Sequence, residues 1–262
     1  MTIPHLQAES PLSDRESDYN RLHLKPVVES IRHLSRLRIS NVFLLDGARG
    51  DRWLVDTGHW SERATLLWEL RRAGLRPGEL TGVLLTHRHS DHAGNAAFLQ
   101  RRYGVEIYAH RDDAAVLEGT APRPRLRPEP GATPFARLFA HVENLLPAAS
   151  LRVDHALDGG ETVAGLEVHA VPGHTDGSVF YRHDTTSSLL SGDTLLAALP
   201  PLTIIQGMVL PYPAYAHDLG QAYASLRSFH DRGFRYDNLL AGHGRPIIGG
   251  ARETAIRLLA GM

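Results

Sequence analysis

Thr86-His87-Arg88-His89-Ser90-Asp91-His92 places three imidazoles and a carboxylate within the six positions from His87 to His92. Few structural roles need that density of polar groups. Neutral imidazole nitrogens and a carboxylate oxygen are donors that suit zinc, iron(II) or manganese. The run before it, Gly82-Val83-Leu84-Leu85-Thr86, reads as a short buried strand. The histidines therefore sit on the loop leaving the carboxyl end of a strand, where α/β proteins place their chemistry. His87 and His89, at i and i+2 of an extended segment, project to the same side.

Upstream of this motif, Asn41 to Asp46 and Arg52 to Asp56 read as two strands joined through Gly47 and Gly50, ending in Asp56-Thr57-Gly58. Ser61 is expected to cap a helix with Ala64, Leu67, Trp68 and Leu70 on its apolar face, stopping at Gly74. Downstream, a helix through Ala96, Ala97, Leu99 and Gln100 leads to a strand from Val105 to Ala109. This alternation argues for an α/β class. Thr120 to Pro134 carries five prolines with Arg123, Arg125 and Arg127, so no regular element fits. Its arginines are read as solvating the loop, with an anionic substrate tail as the alternative. Beyond it the pattern predicts a helix from about Phe135 to Leu145. Strands follow at Val179 to Arg182 and Ser188 to Leu190, then a helix from Leu219 to His230, a strand from Asn238 to Ala241 and a helix from Ala251. A faint echo between Val55-Asp56-Thr57-Gly58 and Ser191-Gly192-Asp193-Thr194 suggests two related halves.

Composition narrows the function. The chain has 262 residues, 42% of them apolar, and is expected to form one domain over 1–262 with a polar leader at 1–20. Formal charge is −1, and Lys25 is the only lysine among 28 basic residues. That balance argues against a nucleic-acid or membrane-surface partner and for a small-molecule substrate. With no cysteine, any metal must be held by His, Asp or Glu. Neither a signal-peptide stretch nor a spanning segment is evident, so a cytoplasmic protein is expected. The apolar, proline-punctuated segment Leu195 to Tyr215 reads as a lid, a pocket wall or a homodimer contact.

Three more loops pair glycine with one polar ligand after an apolar strand: Pro172-Gly173-His174-Thr175, Ser191-Gly192-Asp193-Thr194 and Ala241-Gly242-His243-Gly244. Together with the Asp56 turn and the opening motif, they would converge on a cage of His87, His89, Asp91, His92, His174, Asp193 and His243. In that order, from about Asn41 to Gly250, these segments resemble the metallo-β-lactamase superfamily. The resemblance implies a four-layer αββα sandwich with metals at one sheet edge. It assigns His87, His89 and His174 to a first metal, and Asp91, His92 and His243 to a second, with Asp193 bridging. Two divalent ions are expected, zinc first, with iron or manganese as alternatives. Asp56 is cast behind the ligands, accepting the outer ring N–H of a ligand histidine. The other eleven of the 16 histidines are read as structural or exposed. Among them, His59 is placed at the surface and His217 at the start of a helix.

A dinuclear site of this kind would cleave an ester, thioester or lactone carbonyl with a metal-bridging hydroxide, with Asp91 and Asp193 as the catalytic carboxylates. The resemblance to glyoxalase II extends through Ala93-Gly94-Asn95, although that family carries a helical extension beyond its last histidine. Acyl-homoserine lactonases place a tyrosine where this chain has Leu196, leaving Tyr212 or Tyr215 as substitutes. A mononuclear-iron persulfide dioxygenase is the alternative, with β-lactamase and metal-dependent ribonuclease weaker readings.

Overall fold

The computed structural model describes residues 26–47, 49–128, 132–200 and 203–261, so the leader expected at 1–20 lies outside the described residues. Six strands form a first sheet in chain order: β1 (Ile31–His33), β2 (Phe43–Asp46), β3 (Arg52–Val55), β4 (Gly82–Leu84), β5 (Glu106–His110) and β6 (His155–Leu157). Its first three strands are antiparallel, and β3 through β6 run parallel. The second sheet is ordered β13 (Asn238–Ala241), β10 (Ser188–Gly192), β9 (Val179–His183), β8 (Leu166–Ala170) and β7 (Thr162–Val163). In it, β10 and β13 are parallel and the other pairs antiparallel.

Each strand's two-residue period decides which layer a side chain joins. Phe43, Leu45, Trp53, Val55 and Leu84 from the first sheet meet Val168, Val179, Tyr181, Leu190 and Leu240 from the second, forming the core between the sheets. Their neighbours Leu44, Leu54, Val83 and Ile107 face outward, against helices α1 (Arg63–Arg72) and α3 (Ala96–Tyr103). On the far side, Phe180, Leu189 and Leu239 pack with Leu226, Phe229 and Ala255 of α6 (Leu219–Asp231) and α7 (Ala251–Ala260). The result is an αββα sandwich. The remaining helices are the one-turn α2 (Ser90–Ala93), α4 (Arg111–Leu117) and α5 (Pro134–Leu145).

Some local expectations are corrected. Ser61 does not cap α1; it lies in a 3-10 turn, Trp60–Glu62, capped by the His59 ring, and α1 follows without a side-chain cap. Strand β1, which carries no clear sequence period, is made regular by pairing with β2, and α4 is capped at its start by the His110 ring. The segment 195–217, for which the sequence predicts no regular element, is partly regular. It contains an antiparallel hairpin, β11 (Leu196–Ala198) with β12 (Gln206–Val209), whose tip exposes Ile204 and Ile205. Its last residues then return to the ligand loops, where His217 N–H donates to His174 O at 3.2 Å and Asp218 N–H to Gly173 O at 2.9 Å.

This topology places the chemistry. The parallel strands β3, β4, β10 and β13 end at one edge of the sandwich, and β8, two antiparallel steps from β10, runs the same way. Asp56, the histidine motif, His174, Asp193 and His243 all follow the carboxyl ends of these five strands.

Candidate metal centre

The seven residues of the expected cage fall into two groups of converging ligand atoms: His87, His89 and His174; and Asp91, His92, Asp193 and His243. In the first, His174 Nε2 lies 3.1 Å from His87 Nε2 and 3.0 Å from His89 Nδ1. All three rings are buried. Burial lowers their pKa values, reinforced at His87 and His89 by neighbouring imidazoles, and brings His174 to about 4. Three neutral rings with converging nitrogens cannot satisfy every lone pair with one another's protons. A cation among them would.

The second group has the opposite electrostatics. His243 Nε2 lies 3.1 Å from Asp91 Oδ2 and 3.2 Å from Asp193 Oδ2, and His92 Nε2 lies 3.3 Å from Asp193 Oδ1. Burial alone would lower the histidines, but the Asp193 and Asp91 carboxylates raise both, His243 to about 10. Burial likewise works to raise the two aspartates, and the facing histidines hold them low. Two carboxylates in a buried pocket demand positive charge, supplied by protons or by a metal. Buried His92 Nε2 and Asp193 Oδ1, 3.3 Å apart, make no well-aligned hydrogen bond to each other or to any other group among the described residues, as expected of ligand atoms facing an ion. The donor set, all nitrogen and carboxylate oxygen, therefore fits divalent metal ions. Asp193 Oδ2 also comes within 3.8 Å of His174 Nε2, which puts this carboxylate between the groups.

The shell behind the ligands is built from the same edge. Asp56, a non-glycine residue at φ +61°, sits where the β3 turn needs a left-handed backbone. Its carboxylate accepts from Thr86 N–H and Thr86 Oγ1 at 2.8 Å each, and Oδ2 lies 2.7 Å from His92 Nδ1. That contact leaves His92 Nε2 for the cage. Asn95 explains the rest of the motif: its Nδ2 donates to Thr57 O at 2.9 Å and His59 O at 3.0 Å, tying the Asp56 turn to the segment after α2. Gly242 is a close-approach glycine. A Cβ there would meet Asp193 Oδ1 at 2.2 Å and His92 Cε1 at 2.6 Å.

Three contributors escape sequence reasoning. Asp113, on α4, is buried beneath the motif and receives Arg88 N–H at 2.8 Å, the Arg88 guanidinium, Thr175 Oγ1 at 2.7 Å and Gly177 N–H at 3.2 Å. It clamps the loop of His87 and His89 to that of His174. His217, expected at a helix start, is part-buried, with its ring 5.8 Å from that of His89 and 3.1 Å from Arg88 Nη2. Glu143 of α5 accepts from Ser90 N–H, and burial pushes its carboxyl up to about 7. No pattern marks these residues, because each reaches the site from an element distant in sequence. Arg123, expected to solvate its loop, is half-buried and donates to Ala148 O at 3.4 Å, whereas Arg125 and Arg127 are exposed.

Comparison with known proteins agrees with this architecture. The family model described as metallo-beta-lactamase superfamily matches residues 35–243, most of the chain. The chain belongs to the metallo-beta-lactamase superfamily. Among superfamily relatives, it is 29% identical over 163 residues to the probable metallo-hydrolase YybB of Bacillus subtilis (strain 168), covering 62% of this chain and 64% of that protein. It is 34% identical over 158 residues to a hydroxyacylglutathione hydrolase of Anaeromyxobacter dehalogenans (strain 2CP-C), covering 60% of this chain and 47% of that enzyme. The chain thus spans under two thirds of the length of either relative. A solved metallo-beta-lactamase family protein of Thermus thermophilus superposes with a TM-score of 0.63 at 29% identity, covering 90% of this chain and 80% of that one.

Proposed function

We infer that this superfamily member is a two-metal hydrolase acting on a small-molecule ester, thioester or lactone. The observation that carries the reading is the pair of adjoining ligand groups, one of neutral imidazoles and one with two carboxylates, with Asp193 between them. The likeness to a relative named for hydroxyacylglutathione hydrolysis supports the thioester class.

His87, His89 and His174 would hold one ion, and Asp91, His92 and His243 the other, with Asp193 shared. When bound, two such ions supply Lewis acidity and bring the pKa of water toward neutrality, zinc being the first candidate. The chain's own residues do the rest. Asp91 is the most exposed cage carboxylate, its side chain 24% accessible, so its Oδ atoms can orient an attacking water and carry its proton to the leaving group. Tyr215 has a buried hydroxyl with no partner among the described residues, and burial raises its pKa, so it stays protonated. Asp56 and Asp113 hold the ligand loops in place throughout.

The deciding experiment measures metal identity and stoichiometry per chain on untagged protein purified without added metal, followed by a lactone and thioester panel. About two zinc or manganese ions per chain with turnover of the panel support the reading. A single tightly held iron with oxygen uptake on a persulfide would replace it with the dioxygenase reading.

A further inference from the structure

A cleft of about 400 Å³ opens beside the cage and is lined by His243 together with Arg38, Arg245, His33, Ser40 and Gln206. Its cationic character comes from two loops distant in sequence, one after β1 and one directly after the last metal-ligand residue. Arg38 N–H donates to Glu62 Oε1 at 2.7 Å and Arg245 N–H to Gln206 Oε1 at 2.8 Å, so each backbone is anchored. Neither guanidinium has a hydrogen-bond or ion-pair partner among the described residues. The Glu62 carboxylate is engaged by the backbone N–H groups of Arg38 and Ile39, with no ion pair to the Arg38 guanidinium. His243 adds an unpartnered ring nitrogen: the residue is 7% exposed, and its Nδ1, the nitrogen turned from the cage carboxylates, has no partner among the described residues. A ligand histidine normally gives that outer N–H to an acceptor.

Arg38 and Arg245 are exposed, so water solvates them, and with no carboxylate among the described residues paired to either they leave one cleft beside the cage with a concentrated positive charge. We propose that this cleft is the substrate-recognition subsite and takes a carboxylate carried by the substrate, held by Arg38 and Arg245 while the scissile carbonyl lies at the cage. This rests on the hydrolase reading and narrows it to anionic acyl substrates. A guanidinium matches a planar carboxylate with two parallel N–H donors, and two arginines suffice for a single such group. A nucleic-acid strand would need a longer basic track than this pair provides.

The test uses the zinc-loaded enzyme in two arms. In the first, turnover of monophenyl adipate is compared with that of phenyl hexanoate, which has the same chain length without the terminal carboxylate. The wild type should favour the adipate ester by about tenfold or more in kcat/KM, and the ratio should collapse toward one in R38A/R245A, with R38K/R245K partly restoring it. In the second arm, adipate and inorganic phosphate are titrated calorimetrically into wild type and double variant. Adipate binding should weaken at least about tenfold in the variant and fall with added salt. If neither ester turns over while adipate binding still depends on the arginines, the hydrolase reading fails and the anion subsite stands. Turnover without preference for the carboxylate overturns the proposal, as does adipate binding that is absent or equal in the double variant. Arginine-dependent binding of phosphate in preference to adipate overturns the carboxylate assignment.

Discussion

Asp113 accepts the backbone N–H of Arg88 at 2.8 Å and also pairs with the Arg88 guanidinium, both side chains being 1% accessible. Arg88 is the residue between two candidate metal-ligand histidines, so this one carboxylate compensates a buried charge and fixes the trace of the loop. Removing one partner of a buried pair leaves an uncompensated ion and costs about 3–5 kcal/mol. Asp113→Ala should lower the thermal midpoint sharply and deplete metal from the His87, His89 and His174 group. Asp113→Asn, which keeps the acceptor for Arg88 N–H, should lie between. An unchanged midpoint in calorimetry would show that the clamp does not matter.

Asp193 lies within reach of His92, His174 and His243. On the proposed two-metal hydrolase reading, Asp193→Ala should bring bound metal from about two ions per chain to one or fewer and abolish hydrolysis. Mass spectrometry of the purified variant decides it, and two retained ions would remove Asp193 from its shared position.

Asp56 lies behind the cage, where it holds the His92 ring and both polar groups of Thr86. Asp56→Ala should weaken metal affinity by about 10–100-fold, the usual effect of removing a carboxylate behind a ligand histidine. Competition with a chelator reads the affinity directly. Equal affinity in variant and wild type would place Asp56 outside metal binding.

Gly242→Ala should disrupt the second ligand group while leaving the sandwich folded, because its Cβ would occupy the space of Asp193 Oδ1. The expected result is native far-ultraviolet circular dichroism with loss of at least one ion per chain. Full metal content in that variant would mean that the loop after β13 yields more than its packing suggests.

Glu69 offers a stability test away from the centre. It is wholly buried, its Oε2 lacks a partner among the described residues, and burial raises its pKa against the pull of Arg72 and Arg36. A raised folded-state value means that the native chain binds more protons than the unfolded one above about 4.5, so this contribution is complete in acid and lost as pH rises through the folded value. Glu69→Gln mimics the protonated form at every pH. Its thermal midpoint relative to wild type should climb as pH rises from below about 4.5 through the raised folded-state value. A gap independent of pH would contradict the sign.

Strand ends, ligand types and their order along the chain are legible in the amino-acid sequence because each is a local property. An apolar run followed by glycine and one polar residue declares itself within a few positions, and β13 has in the structure the bounds that its sequence pattern predicts. The six-residue motif announces metal chemistry because histidine and aspartate at that density have few other uses. Tertiary structure alone decides which groups stand behind the ligands and what shape stands before them. Asp113, His217 and Glu143 arrive from α4, the return of the hairpin segment and α5, where no periodicity distinguishes them from other polar residues. The cleft of Arg38 and Arg245 likewise exists only because the loop after β1 and the loop after β13 close on each other, Asn41 Nδ2 donating to Ala241 O at 2.8 Å across the two sheets. Periodicity records what a residue does to its neighbours in the chain, whereas hydrogen bonding and charge compensation depend on neighbours in space.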